Sequence, residues 1–117
     1  MFTLMKFSRF FVYIITNKSR TVLYTGMTNN LPRRLLEHYL KQGILTTFTG
    51  RYNCYNLLYY EVFPSALDAI HREKEIKGWT REKKKLLIET ENLHWEFINN
   101  EIMEWPPKDD VIKREVF

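Results

Sequence analysis

Hydrophobic positions along the chain fall into three short apolar runs and several stretches of helical period. Residues 10–15, Phe-Phe-Val-Tyr-Ile-Ile, are aromatic, apolar and β-branched throughout, as in a strand covered on both faces. Asn17-Lys18-Ser19-Arg20 is a polar turn, and residues 21–25 read as a second strand, so an antiparallel hairpin is expected. Gly26 is expected to end that strand. Asn29 or Asn30 can cap a following helix, Pro32 suits its first turn, and Gly43 is a natural stop just past residue 42. Leu31, Leu35, Leu36, Tyr39 and Leu40 define the core side of this helix, while Arg34, His38 and Lys41 form a separate polar stripe.

Residues 43–56 lack helical period and read as a loop, and residues 57–63 as the third strand. Ser65 with Asp68 starts a second helix that Gly78 ends, and Thr80 caps a third that runs to about residue 90. A further acidic helix is expected over 92–104, stopped by Pro106-Pro107, with a loosely held tail at 108–117. The order β-β-α-β-α-α makes the fold α+β, a small three-stranded antiparallel sheet flanked by helices. The chain then divides into an N-terminal extension (1–9), a domain (10–90) and an acidic C-terminal helix and tail (91–117).

Charge changes this picture more than composition does. The net charge of +4 conceals a segregation: residues 1–88 hold 15 Lys and Arg against 6 Asp and Glu, whereas 89–117 hold 3 against 8. A basic body of this density favours a polyanionic partner, and a solvated surface with uneven charge is the bland alternative. The single cysteine, Cys54, excludes an internal disulfide and suits a reducing cytoplasm. No secretory signal is expected, and the apolar run at 10–15 is far too short for a membrane span of about 20 residues.

Candidate chemistry begins with an acid in an apolar stripe. In the second helix Ala66, Ala69, Ile70, Glu73 and Ile76 recur at spacings of three and four, which places Glu73 toward the sheet. An unpaired carboxylate there is costly, so Glu73 requires a cationic or metal partner, a salt bridge to Arg34 or a neighbouring lysine being one solution. Arg34 and His38 lie one turn apart, a planar fork suited to phosphate beside a group that exchanges protons near neutral pH, or else a solvated polar face. Tyr13 and Tyr24 sit on adjacent strands as possible cross-strand neighbours.

In this order the residues resemble the GIY-YIG nuclease superfamily, most closely its small stand-alone bacterial members. Val12-Tyr13-Ile14 stands where the family has its first motif, and Tyr24-Thr25-Gly26 where it has Tyr-Ile-Gly. Leu31-Pro32-Arg33-Arg34-Leu35-Leu36-Glu37-His38 is similar to the arginine helix, and Ala69-Ile70-His71-Arg72-Glu73 to the helix bearing the metal-binding glutamate. The first motif lacks its glycine, the second has Thr25 for isoleucine, and the asparagine many members carry after the glutamate helix has no good match, Asn92 aligning poorly.

The resemblance implies a metal-dependent endonuclease that hydrolyses DNA phosphodiesters, in repair or recombination and on branched or damaged DNA. Glu73 would hold one Mg²⁺ or Mn²⁺ and Arg34 would brace the phosphate. Tyr24 would act as base or water-positioner, with Tyr13 beside it and His38 in support. Arg33, Lys41, Arg51 and Lys77, with the basic run at 83–85, would hold flanking phosphates, and Phe48, Tyr52 and Tyr55 would stack on bases or else tuck into the core. A non-catalytic nucleic-acid-binding module of the same fold is the competing expectation. The acidic end is expected to dock on a protein partner or on the basic body.

Overall fold

A computed structural model describes residues 9–116; apart from residue 9, the expected N-terminal extension lies outside them. Three antiparallel strands, β1 (Phe10–Thr16), β2 (Leu23–Thr28) and β3 (Asn56–Phe63), form one sheet with β1 at its centre. The continuous apolar run of β1 follows from that place: Val12 through Thr16 are all buried, being covered on both faces. The Asn17 carboxamide closes the β1–β2 turn by accepting from the backbone N–H of Thr21 and Val22.

β2 continues through Gly26 to Thr28 instead of stopping at the glycine. Gly26 lies opposite Tyr13 in the ladder, and a Cβ there would collide with the Tyr13 hydroxyl and ring. The glycine is therefore a clearance for a tyrosine and not a strand end.

Helix α1 (Leu31–Leu40) is capped by Asn30, whose side chain accepts from the Arg33 N–H. A four-residue helix, α2 (Phe48–Arg51), sits inside the expected 43–56 loop, capped by Thr47. Ser65 and Thr80 cap α3 (Ala66–Lys77) and α4 (Arg81–Glu91) in the same way. Alternation along the strands sorts two cores. Val12, Ile14 and Leu58 meet Ala69, Ile76 and Ile88 from α3 and α4, while Tyr13, Ile15 and Leu57 meet Leu31 and Leu35 from α1.

The expected acidic helix over 92–104 is absent. Asn92 caps α4, Trp95 takes a positive φ of 55°, and only a 3₁₀ turn forms at Asn99–Glu101. Asparagine side chains that bond the main chain compete with helix here. Asn99 accepts from Leu57 N–H and donates to Tyr55 C=O, and Asn92 donates to Leu58 C=O. Residues 92–105 thus pack along the sheet through β3. The tail forms a helix, α5 (Asp109–Val116), with acids in its first turn and bases in its last, matching the helix dipole. No helix among the described residues is long and apolar enough to cross a membrane.

Candidate active site

The centre of the site is a bonded trio. The Tyr13 hydroxyl lies 2.8 Å from His38 Nε2 and accepts from Arg34 Nε–H at 3.3 Å. β1 presents Tyr13 toward α1, and the one-turn spacing of Arg34 and His38 lets both reach its hydroxyl. His38 is not part of a solvated stripe: it is 3% exposed, and Leu40, expected in the core, is 38% exposed. The helix is rotated so that its imidazole points in, because Tyr13 and Thr49 supply a polar pocket for it.

Burial sets the protonation states. It pushes the Tyr13 hydroxyl up to about 12, against the opposing pull of Arg34, and the charges of Tyr24 and Glu73 push the same way as burial. Burial, then the positive charges of Arg34 and Lys41, lowers the His38 imidazole to about 3, so it is neutral. Tyr13 is a phenol and His38 an uncharged ring at physiological pH. Arg34 also donates from Nη1 to Glu37 at 2.8 Å.

Tyr24 leans on this trio, its ring centre 6.4 Å from Tyr13 and 5.7 Å from His38. Unlike Tyr13, it is only partly buried. Phe48 stacks beyond it at 5.9 Å and Tyr52 on Phe48 at 5.0 Å, and both are largely exposed. Tyr55 instead packs against Tyr39 and Trp105 and is not presented with them.

Glu73 comes from α3, which covers the opposite face. Its side chain is 21% exposed and faces Lys77, the distance from Nζ to the carboxylate being 3.5 Å. That lysine is the cationic partner its place in the stripe requires. Lys77 Nζ also lies 5.8 Å from the Tyr24 ring centre, so the glutamate–lysine pair and the tyrosines meet at one margin of the sheet. Arg33 points outward, 60% exposed, with Glu37 3.6 Å away. Lys41 and Arg51 are exposed near the far end of α1, and Arg51 donates to the Leu45 carbonyl. A cleft of about 690 Å³ runs beside Arg33 and Arg34 toward Met27, Thr28 and Asn30.

Thr49 is the residue the sequence reading missed. It is 6% exposed, and its Oγ1 lies 3.1 Å from His38 Nδ1. Its only sequence signal is a helix-capping Thr47 two positions earlier, which makes the segment something other than an open loop. Asn92, the weak match to the family's asparagine, is spent on the backbone of β3 and of Glu96.

A model of the GIY-YIG catalytic domain matches residues 9–86. A UPF0213 protein of Haloquadratum walsbyi is 38% identical over 79 residues, covering 68% of this chain and 85% of that one. A UPF0213 protein of Clostridium perfringens is 36% identical over 92 residues, 79% of this chain and 96% of the relative. The solution structure of a UPF0213 protein from Bacillus halodurans is 29% identical, spans 82% of this chain and 99% of its own, and superposes with a TM-score of 0.49.

Proposed function

The chain belongs to the GIY-YIG catalytic-domain family, a family of nucleases, and on that premise we propose that it is a divalent-metal-dependent endonuclease acting on DNA. The observation that carries this reading is the bonded Tyr13–Arg34–His38 trio with Tyr24 stacked on it and Glu73 at the same margin. A charged fork held by a neutral tyrosine–histidine pair, with one nitrogen left over after Glu37, is suited to grip an anion.

The carboxylate at this margin, Glu73, is an oxygen donor of the kind a hard cation takes. Among the described residues no three acidic, histidine or cysteine side chains cluster as a metal cage. Glu73 alone would hold Mg²⁺ or Mn²⁺, ions that keep most of their waters and take one or two carboxylates. When bound, such an ion supplies positive charge at the phosphate and at the leaving 3′-oxygen.

The chain's own residues do the rest. Arg34, its Nε fixed on Tyr13 and Nη1 on Glu37, keeps Nη2 for a non-bridging phosphate oxygen. Tyr24, more accessible than Tyr13, positions the attacking water or takes its proton. Tyr13 and His38 orient and do not act as bases, since one holds its proton firmly and the other barely accepts one. Phe48 and Tyr52 present exposed rings to bases, and Arg33, Lys41, Arg51 and Lys77 hold backbone phosphates. Glu61, Glu91, Glu96 and Glu101 gather beside β3 and steer DNA to the other side of the molecule. A role in repair or recombination, on branched or damaged DNA, follows from the same reading.

One observation favours the non-catalytic reading: Asn92 is occupied by the main chain. A cleavage panel over branched, nicked, flapped and single-stranded DNA with Mg²⁺ or Mn²⁺ separates the two. Wild type should cut, and Glu73→Ala should lose at least about a hundredfold in rate while still binding the substrate. Binding without cutting in the wild type supports the module, and a fully active Glu73→Ala ends the nuclease proposal as stated.

A further inference from the structure

We infer that Thr49 is a positioning residue for Arg34, acting through His38 and Tyr13; its consequence for catalysis rests on the nuclease reading, its geometry does not. Chemistry fixes the direction of the first bond in the chain that joins them, and pairing the most hydrogens orders the rest. A guanidinium has donors only, so Arg34 Nε–H must donate to the Tyr13 oxygen 3.3 Å away. The phenol hydrogen is then directed to the other partner of that oxygen, His38 Nε2 at 2.8 Å. Nε2 can accept only when it carries no proton, and the buried imidazole is neutral. Its single hydrogen therefore sits on Nδ1 and points at Thr49 Oγ1, 3.1 Å away. Thr49 is the last acceptor of a relay that begins at the phosphate-gripping fork.

Burial makes the relay sensitive to its last member. Tyr13, His38 and Thr49 are 0%, 3% and 6% exposed, so bulk water does not replace a lost partner. The local fold serves the same contact. Thr47 caps α2 by accepting from Gly50 N–H, and a Cβ on Gly50 would stand 2.5 Å from the carbonyl oxygens of Lys41 and Ile44. The turn is therefore seated against the chain at the end of α1, with Thr49 facing the imidazole.

Removing the Thr49 oxygen leaves Nδ1–H buried without an acceptor, and the ring loses the bond that holds it from its far side. With the ring loosened, Nε2 no longer fixes the phenol hydrogen, and the Tyr13 oxygen no longer holds Arg34 Nε–H in one direction. Arg34 would keep only its bond to Glu37, and its fork would turn away from the substrate side.

The test is ¹⁵N NMR of the histidine ring together with cleavage kinetics. Wild-type His38 should carry its proton on Nδ1. Thr49→Val, close in shape but lacking the oxygen, should abolish exchange protection of that Nδ1–H and of Arg34 Nε–H. It should also lower kcat on the order of tenfold to a hundredfold with little change in KM, and Thr49→Ser should restore all three. A wild-type ring protonated on Nε2 overturns the inference whether or not the protein cuts DNA, and needs no variant to fold. A Thr49→Val protein in which Nδ1–H and Arg34 Nε–H both stay protected overturns it too. If wild type cuts no DNA, the nuclease reading fails, and the tautomer and the Arg34 signal still decide the role of Thr49.

Discussion

Val12 and Ile14 project from one face of β1 and Tyr13 and Ile15 from the other, and all four are fully buried. On the first face they meet Leu58, Ala69, Ile76 and Ile88, an interior held by apolar contact. On the second, the same depth of burial encloses a phenol, an imidazole and a threonine hydroxyl that bond one another, with Arg34 at their edge. Depth alone therefore does not separate core from site. What separates them is whether buried polar atoms form a complete chain that ends in a partly exposed charge. Thr25 shows the rule by exception: it pairs with Ile14 in the ladder, and its buried Oγ1 has no partner.

The contrast can be broken most forcefully on the apolar face. Ile14→Ala should cost about 2–5 kcal/mol in urea or thermal unfolding, because the cavity it leaves lies among rigid neighbours. On the polar face the signature is pH. His38 is held near 3, well below the ordinary value of about 6.5 that the unfolded chain regains. Between those values the unfolded state binds a proton that the folded state refuses, so stability is intact above the higher pH and falls as pH drops. The loss should approach about 1.4 kcal/mol per pH unit, read from unfolding midpoints at pH 5.5 and 4.5, and absent from the slope of His38→Gln. Smallest is the repair of the exception: Thr25→Val should raise stability by about 1 kcal/mol, visible as a higher melting temperature with cleavage unchanged. A drop instead would mean that the hydroxyl has a partner in solution.

Legibility in the sequence followed how local each signal was. The helix starts at Asn30, Ser65 and Thr80 were readable because a cap acts within three residues, and each one forms the expected bond. β1 was readable because a central strand carries its burial in its own composition. Glu73 stood out because helical period put an acid among apolar neighbours, and the structure gives it Lys77, one of the solutions weighed. The failures were long-range. Burial of His38 depends on Tyr13, 25 residues earlier, and on Thr49, 11 later, which no local period encodes. The missing helix over 92–104 depends on Asn92 and Asn99 finding the backbone of β3, 34 and 42 residues away. For α5 the signal was local and overlooked: Asp109 and Asp110 open it, and Lys113 and Arg114 close it.

The two asparagine clamps have a practical corollary for anyone wishing to move this module into another protein. The family match stops at residue 86, yet the outer margin of β3 borrows a main-chain donor from Ile98 and carboxamides from Asn92 and Asn99. A transplant trimmed to the matched region would bring along a frayed strand, eager to pair with whatever chain came near. The portable unit is therefore longer than the motif that identifies it, and a graft should carry the sequence through Trp105, whose ring packs on Tyr39 and Tyr55.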